Sequence, residues 1–195
     1  LLSRRQRQMC IRDSTKCMVS VNGITLIDRM LSQLSSLNLS RVIIVIGYKG
    51  ENLRKYIGNE YKGLKIEYID NPVYDKTNNI YSLALAKKEL QEDDTLLVES
   101  DLIFDDAMFP MIVNSPYPNL ALVAKYESWM DGTMVYIDAD NNIINFVPKE
   151  AFRYEDVNMY YKTVNIYKFS REFSKNEYVP FLEAVSYTHL RAHET

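Results

Sequence analysis

Apolar residues recur along this chain in two rhythms. Leu26, Ile27, Met30, Leu31, Leu34 and Leu37 repeat at helical spacing, with Thr25 placed to cap the helix and Asp28 three residues on. Arg41 to Gly47 encloses an unbroken apolar run, the signature of a strand buried on both faces. Gly47-Tyr48-Lys49-Gly50 turns out of it into a short helix over 51–57. Leu64 to Ile69 alternates and so belongs nearer a sheet edge; Asn71-Pro72 stops it. Asp75 to Asn79 is a polar loop rich in capping residues, and the pattern predicts a helix over 80–90. A further strand runs to Glu99-Ser100-Asp101, followed by a helix over 106–113 and a strand over 119–126. Residues 134–138 and 143–147 pair as a hairpin around a polar turn. A final strand spans 162–169, with Ser170 capping a helix through Phe173. Repeated β-then-α units predict an α/β fold, a doubly wound and mostly parallel sheet, extended by the β-hairpin.

The strand ending at Glu99 and Asp101 organises the candidate chemistry. Ligands of such sheets bind outside the carboxyl ends of the strands. Alternation along one strand points two acids, one residue apart, the same way. A carboxylate pair there suits a hard cation such as Mg²⁺; the plain alternative is a pair of solvated acids at a strand end.

The two ends read differently from the middle. Residues 4–14 and 185–195 resemble opposite ends of a translated sequencing adaptor, so 1–14 and 185–195 are expected to be foreign and 15–184 to form a partial domain. The origin of Leu1 to Ser3 stays open. Setting these segments aside removes His189 and His193, both histidines of the chain, and leaves Cys17 as the remaining cysteine. Histidine catalysis, a histidine-ligated zinc and an internal disulfide then drop out, and a reducing, cytoplasmic setting is expected. Losing five arginines and two acids moves the formal charge from −3 to −6. An acidic chain without a basic stripe argues against nucleic acid as a partner, and no apolar run approaches the roughly 18 residues of a membrane span.

Lys16 to Gly23, Ile24-Thr25-Leu26-Ile27, the strand ending Gly47-Tyr48 and the Glu99-Ser100-Asp101 strand end together resemble a bacterial nucleotidyltransferase domain. That family usually has Pro-Lys where Thr15-Lys16 stands here. Asn78-Asn79-Ile80-Tyr81-Ser82-Leu83 resembles the Asn-Asn-aromatic-Tyr-Ser element of phosphocholine and 2-aminoethylphosphonate cytidylyltransferases. The resemblance spans 15–183. It implies a Rossmann-like, GT-A-like fold. It also implies a glycine-rich phosphate loop before Thr15 and a second metal-binding acid beyond the chain's end, so this chain by itself is expected to be inactive and poorly stable.

The implied reaction is attack of a phosphate or phosphonate oxygen on the nucleotide α-phosphorus, expelling pyrophosphate, with CTP as the favoured donor. On that resemblance Asp101 is the Mg²⁺ ligand and Glu99 a supporting one. Lys16 faces phosphate; Gly47, Tyr48, Asn78 and Asn79 border the nucleotide, Asn78 and Asn79 having helix capping as their equal alternative. An aromatic face suits a quaternary ammonium. Trp129, the single tryptophan, and Tyr136 therefore become candidates for the acceptor, with Asp131 adding charge for a primary ammonium. With fifteen tyrosines, such cages are easily drawn. A sugar-1-phosphate nucleotidyltransferase and a non-catalytic nucleotide-binding domain of the same fold remain the rival readings.

Overall fold

The computed structural model describes residues 2–3 and 15–191, with side chains over 15–185. Of the end segments read as foreign, 4–14 and 192–195 lie outside the described residues. The elements in chain order are β1 (Leu2–Ser3), β2 (Ser20–Val21), β3 (Ile24–Thr25), α1 (Leu26–Ser35), β4 (Val42–Ile46), α2 (Gly50–Ile57), β5 (Glu60–Tyr61) and β6 (Leu64–Asp70). There follow α3 (Asn79–Leu85), α4 (Lys87–Leu90), β7 (Thr95–Glu99), α5 (Met108–Val113), β8 (Leu120–Lys125), β9 (Met134–Ile137), β10 (Ile143–Val147) and β11 (Tyr161–Phe169). Helices α6 (Arg171–Phe173) and α7 (Val179–Arg191) close the chain, joined by a π-helical turn.

The doubly wound α/β reading holds, and the sheet is mixed. Strands β6, β4, β1 and β7 are parallel. Strand β11 then runs antiparallel to β7, β8 and β9, and β9 to β10. The change of direction follows from connectivity: β8 to β11 are joined without a helical crossover, which parallel neighbours would need.

Helices cover both faces. Ile27, Met30, Leu31 and Leu34 of α1, Leu53 and Ile57 of α2, and Phe109 and Ile112 of α5 pack on one face with Val98 and Ile166. Leu83 of α3, Leu90 of α4 and Leu182 of α7 pack on the other with Leu97, Tyr167 and Phe169. Thr25 caps α1, its hydroxyl accepting from Asp28 N at 3.1 Å and donating to the Asp28 carboxylate at 2.7 Å. Asp28 thus answers the cap through the hydroxyl.

Three local expectations change. The helix expected over 80–90 is two helices, broken at buried Ala86 (φ −92°, ψ 17°). The β5–β6 hairpin, turned by Lys62 (φ 51°) and Gly63 (φ 83°), went unread because its first strand has two residues. Strand β7 ends at Glu99, and Ser100 and Asp101 form a turn, so strand alternation does not fix the direction of Asp101.

Among the described residues β1 meets Ile44 of β4 and Val98 and Glu99 of β7. The earlier parts of those two strands flank a groove of about 500 Å³, lined by Val42, Ile43, Thr95 and Leu96 with Leu34 and Leu90. It lies at the end of β7 opposite to Glu99.

Candidate functional site

Glu99 follows Leu97 by two residues, so it shares the face of β7 on which α3 packs. The loop leading to α3 is wired to the sheet by Asn71, a buried amide at the end of β6. Asn71 N donates to Ile46 O at 2.7 Å, and its side chain donates to Thr77 and Ser82 hydroxyls at 3.1 Å each and accepts from Val73 N at 3.1 Å. Asn78 then caps α3, accepting from Tyr81 N at 3.2 Å. Asn79, the first helical residue, donates from Nδ2 to Glu99 Oε1 at 3.2 Å. The pair of asparagines thus divides its labour: Asn78 holds the helix start and Asn79 reaches the strand-end acid.

A second amide completes the arrangement. Ile166 of β11 is opposite Val98 of β7, so one step along the antiparallel pair Asn165 faces Glu99. Its Nδ2 donates to Glu99 Oε2 at 3.0 Å, and its Oδ1 accepts from the Tyr167 hydroxyl at 3.3 Å. Burial first, and then the negative charge of Glu99, push the Tyr167 hydroxyl above its ordinary pKa, against a lowering contribution from Thr163. The tyrosine therefore stays a donor. Asn165 was not singled out in the sequence, where Val164-Asn165-Ile166 reads as ordinary strand alternation.

Asp101 is half-buried in the turn after β7, and no described side chain or amide donates to its carboxylate. Lys16 opens a 3₁₀ turn whose next residue, Cys17, is fully buried beside α1; no contact joins Lys16 to Glu99 or Asp101 among the described residues. Gly47 accepts from Gly50 N at 2.9 Å, closing the turn out of β4. Tyr48 meets Tyr74 edge-on at 6.1 Å, and Lys49 Nζ lies 5.4 Å from the Tyr48 ring centre. Gly50 is required there: a Cβ would sit 2.9 Å from Ile46.

The acceptor-side candidates lie elsewhere, in the lobe built by β9 and β10. Tyr160 is buried there among Tyr126, Tyr136 and Phe152, with Met134 and Val147. Tyr136 packs edge-on against Tyr160 at 5.2 Å and donates to Asp156 at 3.3 Å. Hydrogen bonding with Tyr160, then burial and the Asp156 charge, push its hydroxyl up to about 12. Asp131 pairs with Lys149 at 3.1 Å, and the Gly132 backbone N–H first, then Lys149, hold its carboxyl below the usual range. Trp129 is 75% exposed, its Nε1 donating to Glu127 at 2.9 Å. No described contact brings Trp129, Asp131 or Tyr136 to Glu99.

For a hard cation, the structure offers Asp101 as a carboxylate without a described donor, while both Glu99 oxygens already accept amide hydrogens. No group of three or more Asp, Glu, His or Cys able to hold a metal occurs among the described residues. A single carboxylate fits an ion that takes its remaining ligands from substrate phosphates and water, as Mg²⁺ does.

The fold is that of the nucleotidyltransferases. Across 88% of this chain and 68% of its own, the CTP:phosphocholine cytidylyltransferase of Streptococcus pneumoniae superposes with a TM-score of 0.65 at 18% identity. The inositol-1-phosphate CTP transferase of T. maritima superposes over 86% of this chain and 66% of its own, with a TM-score of 0.65 at 16% identity. By sequence, residues 12–172 match the family model described as "Domain of unknown function (DUF6564)", and the chain belongs to that family. The CMP-5'-(3-aminopropyl)phosphonate synthase of Streptomyces rubellomurinus is 29% identical over 170 residues, covering 86% of this chain and 27% of that protein. The CTP:phosphoglutamine cytidylyltransferase of Campylobacter jejuni is 26% identical over 188 residues, 88% of this chain and 71% of that protein. The chain therefore spans about a quarter of the Streptomyces protein's length. The expected kinship with cytidylyltransferases is borne out. Among the described residues no helix is long and apolar enough to cross a membrane.

Proposed function

We propose that the protein carrying this chain transfers CMP from CTP to a small phosphate or phosphonate bearing an amino or quaternary ammonium group, such as 2-aminoethylphosphonate or phosphocholine, and releases pyrophosphate. The observation that carries this reading is the junction of Asn79 with Glu99. It joins the Asn-Asn-Ile-Tyr-Ser element to the Glu-Ser-Asp strand end at one point. Relatives named for cytidylyl transfer to a phosphonate and to phosphoglutamine support it.

In the reaction, an anionic oxygen of the acceptor forms a bond to the CTP α-phosphorus. The bond from that phosphorus to the bridging oxygen breaks, and pyrophosphate leaves with the electron pair. The ionised acceptor carries no proton to be removed, so no general base is needed; positioning and charge neutralisation are what the protein supplies. Asp101 would hold Mg²⁺, which when bound neutralises phosphate charge. Glu99, held from both sides, keeps the strand end in register beside it. Lys16 contributes a cation towards phosphate, and Gly47, Tyr48 and Asn79 border the nucleotide. Trp129 offers an open ring face to an ammonium group; Asp131 and Tyr136 shape the same lobe, their polar atoms already committed to Lys149 and Asp156.

The test offers the full-length protein each of the four ribonucleoside triphosphates with Mg²⁺ and a panel of phosphocholine, phosphoethanolamine, 2-aminoethylphosphonate and hexose 1-phosphates. Pyrophosphate release is followed. CTP-selective release with an amino- or ammonium-bearing acceptor, lost in Asp101→Ala, is the expected result. Release with hexose phosphates alone moves the protein to the sugar branch, and no release with any pair favours a binding domain.

A further inference from the structure

We propose that Asn165 is a positioning residue of the transfer site, fixing the Glu99 carboxylate from the side opposite to Asn79. The proposal rests on the nucleotidyl-transfer reading and extends it to a residue outside the motifs that led there. Three observations carry it.

First, Asn165 has φ +60° within β11. That left-handed conformation is tolerated by glycine and, among side-chain-bearing residues, best by asparagine and aspartate. Second, the pairing of β11 with β8 shifts register between Thr163 and Tyr167, so Asn165 sits inside an irregularity of the strand. Bulges of this kind re-aim a side chain and recur next to functional sites. Third, both ends of the amide are used: Nδ2 donates to Glu99 at 3.0 Å, and Oδ1 accepts from Tyr167 at 3.3 Å. The orientation of the amide is thereby fixed, and a donor faces the acid. The left-handed backbone disfavours a leucine or a β-branched valine here, so the position selects a short polar side chain, and that side chain is aimed at Glu99. With Asn79 on the other oxygen, the acid is gripped by α3 and β11 together.

Aspartate shares asparagine's size and its tolerance of the backbone, and turns the donor into a second carboxylate. Glycine fits the backbone and removes the side chain. The experiment compares Asn165→Asp, Asn165→Gly, Glu99→Gln and the double variant Glu99→Gln/Asn165→Asp in the full-length protein. It measures kcat and KM for CTP and 2-aminoethylphosphonate with Mg²⁺, and Tm without substrates. Misplacing a group by an ångström costs up to about a hundredfold in rate. Asn165→Asp is expected to lower kcat by about 10- to 100-fold with KM for CTP little changed. Asn165→Gly should lower kcat less and leave Tm near that of the wild type. The double variant exchanges amide and acid, so it should recover the Tm lost in Asn165→Asp while kcat stays low. Wild-type kcat in Asn165→Asp would overturn the proposal, as would losses that merely follow the folded fraction. The Tm cycle needs no turnover. If no nucleotide–acceptor pair reacts, the transfer reading fails, and strictly additive Tm effects of Glu99→Gln and Asn165→Asp would then overturn the grip on Glu99 separately.

Discussion

The strand-end node around Glu99 and the aromatic lobe around Tyr160 both drew candidate residues from the sequence, and the structure treats them differently. At the node, amides from two other elements converge on the Glu99 carboxylate of β7: Asn79 from α3 and Asn165 from β11. In the lobe, the candidates point into local arrangements, Tyr136 to Asp156 and Asp131 to Lys149, and Trp129 stays at the surface. Long-range convergence of polar groups costs desolvation and chain entropy, so it survives where it does something. The lobe's two pairs span 20 and 18 residues, no less than the 20 of Asn79–Glu99, but each is a single contact, whereas Glu99 also takes Asn165 from 66 residues away. The lobe's aromatic rings are its own small core, while the node has polar groups where a core would have apolar ones.

This contrast can be broken from either side. The largest effect belongs to Asp101→Ala, expected to lower kcat/KM for CTP-dependent pyrophosphate release by about 100-fold or more, with Tm unchanged because the carboxylate has no described partner to lose. Next comes Asn71→Ala, which removes the buried amide that wires the loop to α3 and strands the Val73 N–H; thermal or urea unfolding should register about 1–3 kcal/mol. Gly50→Ala presses a methyl group to 2.9 Å from Ile46 Cβ, which no rotamer change relieves, and should cost a similar amount, about 1–3 kcal/mol by the same measurement. Burial first, then neighbouring Tyr167, push the Tyr178 hydroxyl up to about 12. Its folded value exceeds the ordinary value of about 10, so its contribution is complete below about pH 10 and is lost as pH rises towards 12. Urea midpoints across that window should therefore fall more steeply in the wild type than in Tyr178→Phe. Smallest is Trp129→Ala, expected to leave Tm unchanged and to raise KM for an ammonium-bearing acceptor by about two- to tenfold.

Much of the fold was legible because its signals are local. The apolar run of β4 is buried throughout, Thr25, Asn78 and Ser170 cap the helices they precede, and the β9–β10 hairpin forms around its polar turn. The break at Ala86 escaped, since nothing in Ile80 to Leu90 opposes a continuous helix. So did the antiparallel course of β11: direction depends on how strands are connected in space, and an apolar run does not carry it. Glu99 and Asn79 were legible as motif residues. Their contact was not, because it depends on which face of β7 receives α3. Asn165 was hidden more deeply: its role comes from a left-handed backbone inside a strand, and the sequence Val164-Asn165-Ile166 does not announce one.

The measurement that bears most directly on the account is kcat for CTP-dependent pyrophosphate release in Asn79→Ala and Trp129→Ala, side by side in the full-length protein with 2-aminoethylphosphonate. If the node around Glu99 is the working centre, Asn79→Ala loses about 10- to 100-fold in kcat with Tm little changed, and Trp129→Ala keeps its kcat. Wild-type kcat in Asn79→Ala together with a collapse in Trp129→Ala would contradict it and place the chemistry in the lobe.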